Sequence, residues 1–328
     1  MTDLRKDPLF DRWVLVAEHR SQRPNDYATL PATTEDGLPR GAVNCPFCPS
    51  PEKHTPPAVY SACNAEGDWQ VRVVPNKYPA VGTAVGGDES GVHEVVIESP
   101  RHIQNTADLT PRELADVLEA YDARLRHWHH DGRFEYATIF KNVHSTAGAS
   151  LVHLHSQIMV LPEAPPPFLR ELRQLDRFGR EHDQCALCER IARERIDSVR
   201  LVLDRDGYVA ICPYVSLHAY ETWILPVDHD CWFPPAANRV STNTLASVLG
   251  EVVSRIERLL PGVGYNMILR IAPWGAQKID YHPRIEIRPR LDALAGLELG
   301  NGIHINQVSP EYAAQKLRAL EPHCFCGT

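Results

Sequence analysis

The feature that most restricts this chain is an ordered set of cysteines and histidines that occurs twice. Cys45 and Cys48 enclose two residues, and so do Cys185 and Cys188. His102 and His153 follow the first pair, 51 residues apart, and His229 and His282 follow the second, 53 apart. Glu94-Val95-Val96-Ile97 starts eight residues before His102, and Glu221-Thr222-Trp223-Ile224 starts eight before His229. One such spacing arises easily by chance. The same order of a C-x-x-C and two remote histidines does not, and it marks a duplicated structural unit.

Each set holds the donors that tetrahedral zinc prefers, two thiolates on a tight turn and two imidazoles. Cys45, Cys48, His102 and His153 make one candidate site, and Cys185, Cys188, His229 and His282 the other. The spacing predicts about two zinc ions per chain, with iron an option in the second site. A full four-ligand shell has no open position for water, so both sites are expected to be structural. They would tie the loop around His153 to distant parts of the chain. C-x-x-C pairs of this kind read as metal or redox motifs before structural disulfides. Cys63, Cys212 and Cys231 read as small apolar core residues.

The elements between these residues repeat as well. In the first half, strands are expected at Trp69–Pro75, Val92–Glu98, Tyr136–Phe140 and Ser156–Leu161. A helix is expected from Thr110 as N-cap, with Pro111 first and Glu113 closing a capping box. Leu114, Val117, Leu118, Tyr121, Leu125 and Trp128 mark its apolar face. In the second half, strands are expected at Arg200–Leu203, Tyr208–Cys212, Glu221–Leu225, Tyr265–Ile271 and Ile285–Ile287. Leu245, Val248, Val252, Ile256 and Leu259 mark the matching helix. Pro162 to Gln184 reads as a link. The fold class is therefore α+β, an antiparallel sheet with helices packed on it, divided into units of residues 1–165 and 166–328.

The chemistry concentrates between Asn142 and Gln157. If the chain enters a strand at His153, alternation puts His153, His155 and Gln157 on one face. Gly148, Ala149 and Ser150 are small enough for backbone amides to approach a phosphate. A neutral imidazole is a good nucleophile at phosphorus, and a phosphoimidazole divides a transfer into two steps. Gln157 offers a donor to phosphoryl oxygens without acting as a strong acid or base.

The run His153-Leu154-His155-Ser156-Gln157 resembles the active-site motif of the galactose-1-phosphate uridylyltransferases, a branch of the histidine-triad superfamily. Asn142, Gly148 and Ser150 stand where that family has phosphate-loop residues. Cys45-Pro46-Phe47-Cys48 with Thr55-Pro56-Pro57 is similar to its zinc turn. Arg20 to Pro24, with Arg20 and Arg23, resembles a segment that reaches the nucleotide sugar, and Asn76-Lys77-Tyr78 another near the nucleotide. The resemblance implies two histidine-triad-like motifs side by side, in a homodimer. It implies His155 as the nucleophile at the α-phosphorus, with the His153 carbonyl orienting its ring. Gln157 and Ser150 complete the catalytic set, and Arg20, Arg23, Asn76, Asn142, Gly148 and Ser156 the substrate-binding set.

Two departures bear on the substrate. Ser156 replaces the usual Gly, which is similar to the nucleoside-diphosphate-sugar phosphorylase branch. Asn306-Gln307-Val308-Ser309-Pro310-Glu311 stands where the galactose enzymes carry a Lys followed by Gly-Tyr-Glu; Ser309-Pro310 also suits a helix start. In the second half Arg284 takes the position of His155. Arginine stays protonated and is no nucleophile, so Arg284 either binds a sugar phosphate or pairs with a carboxylate such as Glu286.

The expected activity is transfer of UMP or AMP from a nucleotide sugar to a sugar 1-phosphate or to phosphate, by ping-pong through a nucleotidyl-histidine. An ADP-sugar phosphorylase is the main alternative. A nucleotide hydrolase and a non-catalytic nucleotide-binding protein are the others; Gln157 in the third position argues against hydrolysis. The net charge of −8, without a basic stripe, excludes nucleic acid as the partner. No apolar run approaches the ~20 residues of a membrane span, and the N-terminus lacks a signal peptide's apolar stretch. A cytoplasmic location is expected.

Overall fold

The computed structural model describes residues 3–7, 9–10, 12–16, 45–49, 55–82, 90–229, 239–274 and 281–321. Strands β1 (Asp3–Asp7) and β2 (Arg12–Val16) form a hairpin. The first half then contributes β3 (Tyr60–Cys63), β4 (Trp69–Pro75), β5 (Val92–Ile97), helix α1 (Pro111–Asp131), β6 (Tyr136–Val143) and β7 (His155–Leu161). Helices α2 (Pro166–His182) and α3 (Ala186–Asp197) follow. The second half contributes β8 (Leu201–Arg205), β9 (Tyr208–Ile211), β10 (Thr222–Pro226), α4 (Arg239–Leu259), β11 (Tyr265–Arg270) and β12 (Arg284–Pro289). Helix α5 (Gly296–Asn301), β13 (Ile303–Asn306) and α6 (Pro310–Arg318) close the chain.

One ten-stranded sheet runs β3-β4-β5-β7-β6-β11-β12-β10-β9-β8. Read outward from its middle, β6-β7-β5-β4-β3 and β11-β12-β10-β9-β8 are the same order. Two copies of a five-strand unit therefore meet edge to edge, through antiparallel pairing of β6 with β11. Phe140 faces Ile268 at that seam. The same two residues sit opposite Gln157 and Glu286 in their own halves, so the pseudo-twofold passes between them.

Local chemistry explains the helix that organises each unit. The Thr110 side chain accepts from the Glu113 amide while Glu113 reaches back to the Thr110 amide, and Gly132 ends α1 in the left-handed region at φ 74°. Leu114, Val117, Leu118, Tyr121 and Leu125 bury one stripe of α1 on the sheet, beside Leu245, Val248, Val252 and Ile256 of α4. Each such apolar side chain contributes roughly 1.5–3 kcal/mol on burial. Both helices occupy the same face, which leaves the opposite face for α2, α3 and the site.

Three sequence expectations change. The stretch from Pro162 to Gln184 is not a bare link. Pro165 and Pro166 start α2, which buries Phe168, Leu172 and Leu175 along one side; prolines that break a helix interior suit its first turn. The opening strands belong spatially to the second half: β2 pairs in parallel with β13, and Asp7 bonds Arg190. Cys63 is exposed, whereas Cys212 is buried, and burial pushes its thiol up to about 12. Cys231 lies outside the described residues. No described helix is long and apolar enough to cross a membrane.

Candidate active site

The site is built where β7 begins. His155 and Gln157 point to the face away from α1, together with Val95 and Ile97 of the neighbouring β5. These strand ends, the Cys45–Cys48 turn and the 74–78 segment enclose a cavity of about 400 Å³. Phe47, Asn76, Lys77, Tyr78, Ser150, His155 and Gln157 line it. Phe47 lies against the His155 ring, centroids 5.3 Å apart.

His155 is prepared by its neighbour. Its Nδ1 lies 2.8 Å from the His153 carbonyl oxygen. A carbonyl only accepts, so Nδ1 carries the proton and Nε2 keeps a free lone pair. Burial lowers the affinity of the ring for a second proton, against the opposing effects of the His153 carbonyl and Glu98. The imidazole is thus neutral at neutral pH, the form that attacks phosphorus.

His153 is turned the other way, towards the cysteines. Its Nδ1 stands 3.4 Å from Cys45 Sγ and 3.5 Å from Cys48 Sγ, and His102 Nδ1 is 3.3 Å from Cys48 Sγ. His153 Nε2 donates to the Ser99 carbonyl at 2.9 Å. The second set repeats this arrangement. Cys188 Sγ is 3.3 Å from His229 Nδ1 and 3.5 Å from His282 Nδ1, and His282 Nε2 donates to the Pro226 carbonyl at 2.8 Å. In each set the four donor atoms lie within 4.8 Å of one another, so each can hold a metal ion. A backbone carbonyl on the remote ring nitrogen is the usual outer support of a ligating histidine. Burial, with the hydrogen bond its thiol donates to Cys45, pushes Cys48 up to about 11, and a hydrogen bond from Cys188 pulls Cys185 down to about 3. A sulfur that keeps its proton in the bare site would release it to solvent when a dication binds.

The phosphate-loop expectation has a geometric counterpart. A short 3-10 turn, Ser145–Ala147, ends at Gly148 in the left-handed region, φ 89°. A side chain at Gly264 would collide with this turn, since its Cβ would fall 2.3 Å from Thr146 Oγ1 and 2.7 Å from the Val143 carbonyl. Asn142 accepts from Asn266 at 2.7 Å, and Asn266 also donates to the Ala147 carbonyl at 2.8 Å. Asn266 therefore braces the turn and holds Asn142 beside it, and Ser150 lines the cavity.

Ser156 does not join the substrate-binding set. It alternates to the opposite face, is fully buried, and its hydroxyl is hydrogen-bonded to Tyr121 at 2.7 Å. Tyr121 also donates to Glu98 at 3.0 Å, and Glu98 pairs with the buried Lys141 at 2.6 Å. Arg20 and Arg23 lie outside the described residues. His93, which sequence reasoning passed over, bonds Gln157.

In the second half the corresponding position is closed. Arg284 is fully buried and pairs with Glu286 at 2.7 Å and Glu171 at 2.9 Å. Burial alone would lower its pKa, but Glu171, Tyr281 and Glu286 hold it well above the usual value. Phe10 and Trp223 cover the guanidinium. Arg284 is thus a structural ion-pair residue. Removing one member of a buried pair costs about 3–5 kcal/mol, so Arg284→Met is expected to lower the denaturation midpoint strongly while the folded fraction keeps its activity. An unchanged midpoint would contradict this role.

Comparison with known proteins agrees with the geometry. Residues 1–165 match the model of the galactose-1-phosphate uridyl transferase family, N-terminal domain. An ADP-glucose phosphorylase of Arabidopsis thaliana is 31% identical over 97% of this chain and 93% of its own length. The galactose-1-phosphate uridylyltransferase of Thermotoga maritima is 25% identical over 98% of this chain and 99% of its own. The crystal structure of an ADP-glucose phosphorylase from Arabidopsis thaliana with bound ADP-glucose superposes with a TM-score of 0.85 at 29% identity, covering 98% of this chain and 100% of that one. With a matching family model, whole-length relatives and the same α+β fold, the chain belongs to the galactose-1-phosphate uridyl transferase family of nucleotidyltransferases.

Proposed function

We propose that the protein moves a nucleotidyl group from a nucleotide sugar to phosphate or a sugar 1-phosphate, with His155 as the covalent carrier. The observation that carries this reading is the His155 Nδ1 to His153 carbonyl bond, 2.8 Å, which leaves Nε2 as the attacking atom at the cavity. Nε2 attacks the α-phosphorus and the sugar 1-phosphate leaves. The phosphorus–nitrogen bond then breaks as an oxygen of the acceptor phosphate attacks, and the histidine is restored. The carbonyl on Nδ1 stabilises the positive ring while phosphorus is bound. Gln157 donates to phosphoryl oxygens, and Ser150 and the turn ending at Gly148 help to seat them.

ADP-glucose and inorganic phosphate are the favoured pair. The likeness to the ADP-glucose phosphorylase supports this, as does the region read as the counterpart of the hexose-binding segment. There Asn306 donates to the Ser216 and His218 carbonyls. Ser309 caps α6, and Glu311 pairs with Arg5 and Arg200. These polar groups are engaged within the fold. Release of glucose 1-phosphate from ADP-glucose is expected to exceed UDP-glucose/galactose 1-phosphate exchange by at least about tenfold in kcat/KM, roughly 1.4 kcal/mol. Exchange at an equal rate would contradict the substrate choice and leave the nucleophile untouched.

In this reading both metal sets hold zinc, structural in each case because four protein ligands complete the shell. Residues 1–165 carry the nucleophile and 166–328 the second metal set without one. A homodimer and a cytoplasmic location rest on the family resemblance and the sequence.

A further inference from the structure

An amide side chain has a donating and an accepting end, and the two do opposite things beside a phosphoryl group. Which end of Gln157 faces the cavity follows from His93 on β5, which is 7% exposed. The Ala80 backbone nitrogen lies 3.1 Å from His93 Nδ1. A backbone amide can only donate, so Nδ1 accepts, and the proton of the neutral ring sits on Nε2. Nε2 lies 2.8 Å from Gln157 Oε1. It must donate there, and only the amide oxygen can receive it. Both hydrogens of the Gln157 amide are thereby left for the cavity that Gln157 lines.

The 76–80 segment supplies the Ala80 amide and packs Asn76 against the ring from the other side. Asn76 Oδ1 accepts from the Tyr78 amide at 2.9 Å, which turns its nitrogen to the His93 ring, 3.2 Å from Nε2 and 3.4 Å from Nδ1. Asn76 and Tyr78 also line the cavity.

We propose that His93 is a positioning residue that locks Gln157 as a donor, and so sets both the rate of nucleotidyl transfer to His155 and the protection of the intermediate from water. The proposal rests on the reading of His155 as the carrier. With the lock in place, two N–H groups meet the phosphoryl oxygens in charge-assisted bonds. A water molecule near the phosphorus finds no amide oxygen to receive its proton. Without the lock the amide can turn, which sets its oxygen against the anionic phosphoryl group and offers water an acceptor.

The test is single-turnover labelling with α-32P ADP-glucose, followed by the loss of label to AMP when phosphate is omitted. His93→Phe is expected to slow labelling about 10- to 100-fold, less than the roughly 100- to 1000-fold loss when a preorganised donor is removed outright, because the amide itself remains, with KM little changed. The share of intermediate lost to water should rise. His93→Gln, which returns an N–H donor at the reach of Nε2, should recover most of both. Ala80→Pro removes the amide hydrogen that obliges Nδ1 to accept, on an exposed residue, while also fixing φ there. It should raise the loss to water in the same direction, and it carries the test if His93→Phe does not fold. Unchanged labelling and unchanged loss in His93→Phe, or in Ala80→Pro, overturn the lock. So does a His93→Gln protein no better than His93→Phe. If the unaltered protein takes up no label, the carrier reading falls and the lock with it.

Discussion

His155→Gly is expected to erase covalent labelling and cut turnover by about four orders of magnitude or more, the scale of loss when a covalent nucleophile is removed. The fold should barely notice. His155 supplies a ring to the cavity, whereas the neighbouring histidine that binds the cysteines is His153. Glycine in a strand costs roughly 0.5–1 kcal/mol, so metal content and the melting curve should stay close to those of the unaltered protein. The pH profile gives a second reading of the same group. Burial lowers His155 from the ordinary value of 6.5, so the neutral, attacking form persists to lower pH than for an exposed histidine. Labelling should hold its rate down through pH 6.5 and fall below it. Parallel double-reciprocal plots for the two substrates complete the expectation. Intersecting plots, or near-normal turnover in His155→Gly, would mean direct transfer.

His153→Gly should behave in the opposite manner. It removes a ligand from the first set and deletes the ring that Ser99 anchors. Structural zinc contributes on the order of 10 kcal/mol of apparent binding free energy. Loss of this ion should release the Cys45–Cys48 turn that forms one wall of the cavity. The variant should contain one metal ion fewer per chain, melt far lower, and lose activity as a consequence. A strong chelator should act in two stages, because His229 of the second set is exposed while His153 and His102 of the first are not. Elemental analysis finding less than one metal ion per purified chain would defeat the two-site assignment.

Much of this site could be read from the chain because metal ligands and a nucleophile announce themselves by residue type. Cysteine and histidine donors must converge, so their order alone grouped the eight that the fold brings into two sets. Alternation likewise put His155 and Gln157 together, and the same rule, applied strictly, turns Ser156 away from them. His93 was illegible for a different reason. It stands opposite Met159, diagonal to Gln157, and only the register between two strands brings together these residues 64 apart in the chain. The partners of Arg284 show the same limit, since Glu171 comes from a helix hidden behind three prolines. Burial and pairing of a charge are tertiary facts. Residue type told what Arg284 cannot do, and the fold tells what it does.

The seam between β6 and β11 has a consequence for how this chain tolerates change. Residues 155 and 284 are symmetry mates across it, as are 157 and 286. In the proposed reading His155 and Gln157 act on a ligand, whereas Arg284 and Glu286 hold a helix and the opening strands to the sheet. In a library of single substitutions sorted by cellular abundance, variants at His155 would survive and variants at Arg284 would be discarded. Sorted by growth that requires the reaction, both would disappear. The repeated architecture therefore places two kinds of constraint at matching positions of its two halves. In the proposed reading one half is held by chemistry, and the other by its buried ion pairs and its own Cys2His2 set.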